Sequence, residues 1–258
     1  MRFGVVYDLD KADLIASLGY DYIEGHVNEI SAMDPNEFNA LAKRMDNCSI
    51  KCETACILFP YTLKVVGPEF NEKKIEDYLD SAFSRLSRLG TDTVVFGSGG
   101  ARWVPDGFDR ADAWHQLVQT CRIIDKKCAE YGIITGLEAM NTRESNIMNL
   151  QAQAIGLASD TDRPNICLLV DFYHFSLGGE DPSVIDQGKK LVHTHISNPD
   201  GRVYLQPTDR ADYASFFSAL ARIGYHGRMS YEGKLKDDER ELTVTLATMK
   251  KLAADAGI

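Results

Sequence analysis

What most constrains this chain is a recurrence of short β-rich runs alternating with amphipathic, helix-prone stretches along its 258 residues. The runs RFGVVY, YDYIE, IKCETACILF, DTVVFG, IITGLEAM, NICLLVDF, LVHTHIS and GRMSYEG read as strands. Between them PNEFNALAKRM, EKKIEDYLDSAFSRLSRLG and DRADAWHQLVQTCRIIDKKCAEYG read as helices. The last carries Trp114, Leu117, Val118, Cys121 and Ile124 on one stripe, and two of the helices stop at Gly90 and Gly132, as C-terminal caps do. Eight strands in 258 residues give about 32 residues per unit, a normal βα period. Alternation at that period predicts a parallel sheet closed on itself, a single (β/α)8 TIM barrel over residues 1–258. An open doubly wound sheet is the competing architecture. It needs a Gly-rich nucleotide turn after the first strand, and VVYDLDK has none.

Composition narrows the function classes. With 28 basic against 38 acidic residues the formal net charge is −10, a surface that repels a phosphate backbone, so nucleic acid is not expected as a partner. MRFGVVYDLDK is too short in apolar residues for a signal peptide, and no run approaches the roughly 20 residues of a membrane span. Six cysteines without an export signal point to reduced thiols and a cytoplasmic protein. Cys48, Cys52 and Cys56 lack the second pair a zinc site needs, and their spacing is not that of a radical iron–sulfur loop. They read as buried thiols.

In a barrel, chemistry sits at the carboxyl ends of the strands. The fifth strand ends with Glu138, the sixth with Asp171 and the eighth with Glu232, while the seventh places His193 and His195 on one face. Along Glu138, Asp171, His195 and Glu232 the intervals are 33, 24 and 37 residues, one βα unit each. Three converging carboxylates would cost several kcal/mol per ion if unpaired. A divalent cation removes that cost, and three oxygens with one imidazole suit manganese first, with cobalt, magnesium or zinc also admitted. His195 lies nearer the carboxyl end and is the expected ligand; His193, one layer deeper, supports it from behind.

GLEAMNTRESN, LLVDFYH, VHTHISN and the final YEG resemble the sugar isomerase/epimerase barrels typified by D-tagatose 3-epimerase and hydroxypyruvate isomerase, within the xylose isomerase-like TIM barrels. The resemblance implies one divalent metal held by Glu138, Asp171, His195 and Glu232. It also implies sugar contacts from Glu144, six residues beyond the first ligand, and from His174, three beyond the Asp. The epimerases carry a substrate-binding Arg six residues after the metal His; position 201 is Gly here, and the nearest Arg is Arg202. The implied reaction moves a proton at a carbon beside a carbonyl through a cis-enediolate, with Glu138 and Glu232 as the catalytic pair. Epimerisation and aldose–ketose isomerisation both remain open. An inosose-type dehydratase would use the same metal site. An endonuclease of the abasic-site type would need additional His ligands from early strands, which those runs do not supply. The expected partner is a small carbohydrate, and a homo-oligomer is compatible.

Three further features carry two readings each. GSGGARWV after the fourth strand is either a phosphate cradle with Arg102 as counter-charge or a tight turn whose Trp103 packs on a sugar face or on the protein. Tyr7 and Glu24, at the ends of the first two strands, either contact substrate or form the cavity wall. His26 reads as a loop residue.

Overall fold

A computed structural model describes residues 1–187 and 190–258. Eight strands, β1 (Arg2–Val6), β2 (Tyr22–His26), β3 (Cys52–Cys56), β4 (Thr93–Phe96), β5 (Ile134–Glu138), β6 (Ile166–Asp171), β7 (Leu191–Ile196) and β8 (Arg228–Tyr231), pair in parallel in sequence order, and β8 closes on β1. The helices are α1 (Ala12–Ser17), α2 (Val27–Ala32), α3 (Pro35–Asn47), α4 (Glu72–Leu89), α5 (Arg110–Tyr131), α6 (Gln151–Thr161), α7 (Phe172–Gly178), α8 (Tyr213–Arg222) and α9 (Asp238–Ala256). The expected (β/α)8 barrel is the observed one.

Local chemistry sets the element ends. Asn71 and Asp109 cap the first turns of α4 and α5 through their side chains, and Asp34 opens α3 with a reciprocal capping box with Glu37. Gly90 and Gly132 close α4 and α5 in the left-handed conformation, as their positions predict. Of the α5 stripe, Leu117, Val118, Cys121 and Ile124 are buried, while Trp114 is half-buried and donates its indole N–H to Asp160.

The main core lies between the strands' outer faces and the helices, which is why β6 reads as a continuous apolar run that is buried throughout. Inward-facing positions alternate with these. Cys56, Val95 and Leu169 form a small apolar cluster inside the barrel. In phase with them come Asp171 on β6, His193 and His195 on β7 and Glu24 on β2, so the carboxyl end of the barrel interior is polar. β2 runs two residues beyond its expected end and finishes at His26, which is therefore a strand residue. β3 stops at Cys56, and Ile57 leaves the ladder with φ +54°. Among the described residues no helix is long and apolar enough to cross a membrane.

Candidate metal centre

Glu138 and Asp171 are the last residues of β5 and β6, His195 is the penultimate residue of β7, and Glu232 follows β8 by one position. Asp171 and His195 are direct partners in the ladder. One ligand atom from each of these four residues lies within 4.8 Å of the others. His195 Nδ1 is 3.0 Å from Glu232 Oε2 and 3.7 Å from Glu138 Oε1. Glu138 Oε1, Asp171 Oδ2, His195 Nδ1 and Glu232 Oε2 are buried and make no well-formed hydrogen bond, although Glu232 Oε2 is ion-paired with Arg202. Buried polar atoms are otherwise nearly always paired, and four acceptor-capable atoms pointing at one spot fit a cation. The donor set thus suits a divalent ion, with three hard oxygens and one imidazole nitrogen. Gly97, just after β4, leaves the room this needs, since a Cβ there would overlap Glu138 Oε2.

The back of the site is built by a residue whose role sequence reading left open. Glu24 is fully buried; its Oε1 accepts from His195 Nε2 at 3.0 Å, and its Oε2 accepts from His193 Nε2 at 2.7 Å and from the Thr54 hydroxyl at 2.8 Å. The Ser230 hydroxyl also donates to Oε2. With its proton held on Nε2, the neutral His195 ring presents the Nδ1 lone pair to the ligand cluster. Glu24, His193 and His195 also group closely enough to hold a metal, but hydrogen bonds already join them.

Burial works against every charge here, and the neighbours decide the outcome. Burial pushes the Asp171 carboxyl up to about 6. Glu232 is held well below the carboxylate range because Arg202 and His195 outweigh its burial. His195 is raised above the usual imidazole value, since Glu24 and Glu232 outweigh its burial, whereas burial dominates for His193 and lowers it. Glu24 is held low by His195 and His193 despite being buried. The Arg202 guanidinium, paired with Glu232 and Glu144, balances part of the acidic charge.

A cavity of about 350 Å³ opens over the cluster, and Glu138, Glu144, His174, Arg202 and Glu232 line it with Cys56 and Tyr61. His174, on α7, has its Nδ1 3.2 Å from the backbone N–H of Asn141, which can only donate. The ring proton of neutral His174 therefore sits on Nε2, 3.6 Å from Asp171 Oδ2 and aimed into the cavity without a partner. Asn141 also donates its side-chain amide to Glu144 at 2.9 Å, so one residue orients both groups. Arg202 comes one residue later than the epimerase spacing. Gly201 and Arg202 both take left-handed φ values, +87° and +54°, and the guanidinium lies over the mouth: Nη2 is 2.8 Å from Glu232 Oε2, Nη1 is 3.2 Å from Glu144, and the Tyr173 ring lies beneath.

Two expected substrate contacts lie elsewhere. Arg102 is fully buried and donates to Phe96 O, Glu138 O and the Ser145 hydroxyl, so its charge does not face the cavity and cannot serve as a phosphate counter-charge. Tyr7 donates to Asp238 and lines a separate groove with His26 and Arg44. His26 pairs with Glu29 in that groove at 3.1 Å, outside the ligand cluster. The six cysteines are buried free thiols, and Cys52 and Cys56 begin and end β3.

A family model described as a xylose isomerase-like TIM barrel matches residues 12–252. An L-ribulose 3-epimerase of Methylomonas sp. (strain DH-1) is 29% identical over 249 residues, covering 93% of this chain and 84% of that protein. A solved L-ribulose 3-epimerase superposes with a TM-score of 0.85 at 20% identity, covering 99% of this chain and 95% of the other. The IOLI protein, solved with a bound zinc atom, superposes with a TM-score of 0.77 at 18% identity, covering 99% of each chain.

Proposed function

The chain belongs to the xylose isomerase-like TIM barrel family, and from that membership and its strand-end residues we propose that it is a divalent-metal-dependent epimerase or isomerase of a small ketose. The observation that carries this reading is the convergence of four buried ligand atoms, one each from Glu138, Asp171, His195 and Glu232, within 4.8 Å of one another. These residues would hold the ion, with manganese the first candidate. When bound, it supplies polarisation of the carbonyl and positive charge against the developing enediolate. The Methylomonas protein, matched over 93% of this chain, carries the name of a ketose epimerase, which supports the substrate class.

The chain's own groups supply the remaining parts. Glu138 and Glu232 rise from β5 and β8, so they approach a sugar in the cavity from different directions. One takes the carbon-bound proton and the other delivers one. Delivery to the same carbon inverts it, and delivery to the neighbouring carbon gives isomerisation. His174 donates from Nε2 to a substrate oxygen, and Arg202 and Glu144 hold the hydroxyls near the mouth. Asp171 has no proposed proton to move; it balances charge and anchors α7 by accepting from the Tyr173 N–H at 2.9 Å.

The test is turnover of a panel of ketoses by manganese-loaded protein in heavy water. The expected result is conversion of at least one ketose with deuterium at the reacting carbon, lost in Glu138→Gln and Glu232→Gln. Conversion without label would overturn the two-carboxylate proton transfer. No conversion with manganese, cobalt, magnesium or zinc would overturn the ketose reading.

A further inference from the structure

Large apolar side chains are rarely left in water without a use when they gather at one place. Among the described residues six such side chains are exposed; Ile57 (37%) and Tyr61 (72%) stand on the rim of the metal cavity, and Trp103 (41%) faces the hollow beside it. Tyr61 and Gly100 belong both to that cavity and to a second hollow of about 330 Å³ beyond it. Trp103, Lys64 and Glu69 face this second hollow and not the first.

The hollow is a built feature. Its walls are the segments following β3 and β4, and Val65 N–H donates to Ala101 O at 3.0 Å to join them. Lys64 Nζ donates to Gly100 O at 3.0 Å and lies 3.7 Å above the Tyr61 ring. Gly100 has no Cβ because the Tyr61 ring occupies that place. Gln116 on α5 pins the Gly67 backbone through both its N–H and its carbonyl, and the Gly67 turn rests on Pro105. The Tyr61 ring, one face of which lies under the Lys64 ammonium, and the exposed Trp103 thus border one hollow together with the Glu69 carboxylate. Ring faces take the C–H side of a pyranose, and charged groups take its hydroxyls.

Building on the ketose reading above, we propose that this hollow is a second sugar subsite, so that the substrate class is a ketose extended at its far end by another sugar ring. The reacting end of the ketose lies over the carboxylates, and its far end leaves the cavity past Tyr61 and Gly100. The added ring then rests against Trp103 and Tyr61, with its hydroxyls toward Lys64 and Glu69.

Three sugars test this with the manganese-loaded protein: D-fructose, isomaltulose (fructose with glucose on O6) and turanose (glucose on O3, at the reacting end). Isomaltulose is expected to show a kcat/KM at least tenfold above that of fructose, with no gain for turanose. Trp103→Ala should bring the isomaltulose-to-fructose ratio toward one. A readout independent of turnover is tryptophan emission, because the chain has 2 Trp and the other, Trp114, is tied to Asp160 on the outer layer. Isomaltulose should change the emission of the parent protein and leave that of Trp103→Phe unchanged. An equal kcat/KM for fructose and isomaltulose, or a preference that survives Trp103→Ala, overturns the subsite and leaves the ketose reading standing. Emission that responds to isomaltulose while no ketose of the wider panel is converted supports the subsite and overturns the ketose reading. Sedimentation showing that Trp103→Ala dissociates an oligomer, with no emission response to sugar, makes the rim a contact between copies and overturns the subsite.

Discussion

The chemistry of this site turns on which nitrogen of each imidazole carries the proton. Glu24 decides that for His195 by accepting from Nε2, and the Asn141 backbone N–H decides it for His174 by donating to Nδ1. One ring therefore turns a lone pair to the cluster and the other turns an N–H to it. Glu24 is a positioning residue, since it touches no atom of the cavity and acts through His195. Glu24→Gln keeps the shape but loses the charge that holds the tautomer. Manganese affinity, measured by calorimetry, is expected to fall roughly 10- to 100-fold with the far-ultraviolet spectrum unchanged. Unchanged affinity with a lowered melting temperature would reduce Glu24 to a packing role.

At the scale of elements, the segment after β4 shows how one loop serves both fold and site. Its Arg102 guanidinium reaches Phe96 O at the end of β4 and Glu138 O at the end of β5, in full burial. It thus locks together two strand ends, one of which carries a proposed ligand. Burial lowers this guanidinium to about 10, still high enough to keep its charge at neutral pH. Arg102→Met removes these bonds and leaves two buried carbonyls without a strong donor, at a cost of about 3 kcal/mol or more. Urea denaturation should show that loss. A phosphate-cradling Arg would instead leave stability intact and weaken only phosphorylated ligands. Arg202 illustrates the opposite arrangement: its left-handed backbone and the Gly201 before it aim a charge into the cavity from a loop tied by isolated bridges from Val203 to Asn198 and to Lys234.

For the molecule as a whole, the cluster is a place where acidic charge is gathered in a chain already at −10. An ion that binds only the folded state adds stability in proportion to the logarithm of its excess. At a hundredfold excess over Kd this is about 2.7 kcal/mol, or roughly 5–10 °C in Tm for a chain of this size. Manganese should raise Tm by that amount, chelation should reverse it, and Asp171→Ala should abolish the difference. Equal Tm with and without the ion would overturn the site. The sequence by itself determined the closed barrel, because the βα period and strand handedness leave few other ways to bury both faces of eight short strands. It also determined that Glu138, Asp171, His195 and Glu232 share one mouth, because all parallel strands end on the same side. Only the tertiary structure decided that Glu24 stands behind His195, across 171 residues of chain, that Arg102 is a strut, and that Tyr7 faces another groove. The Glu24–His195 contact depends on a distance across the closed barrel, and the Arg102 strut on how the loop after β4 folds back over the end of β5. Neither is written in a local pattern of residues, because both join residues that only the tertiary fold brings together.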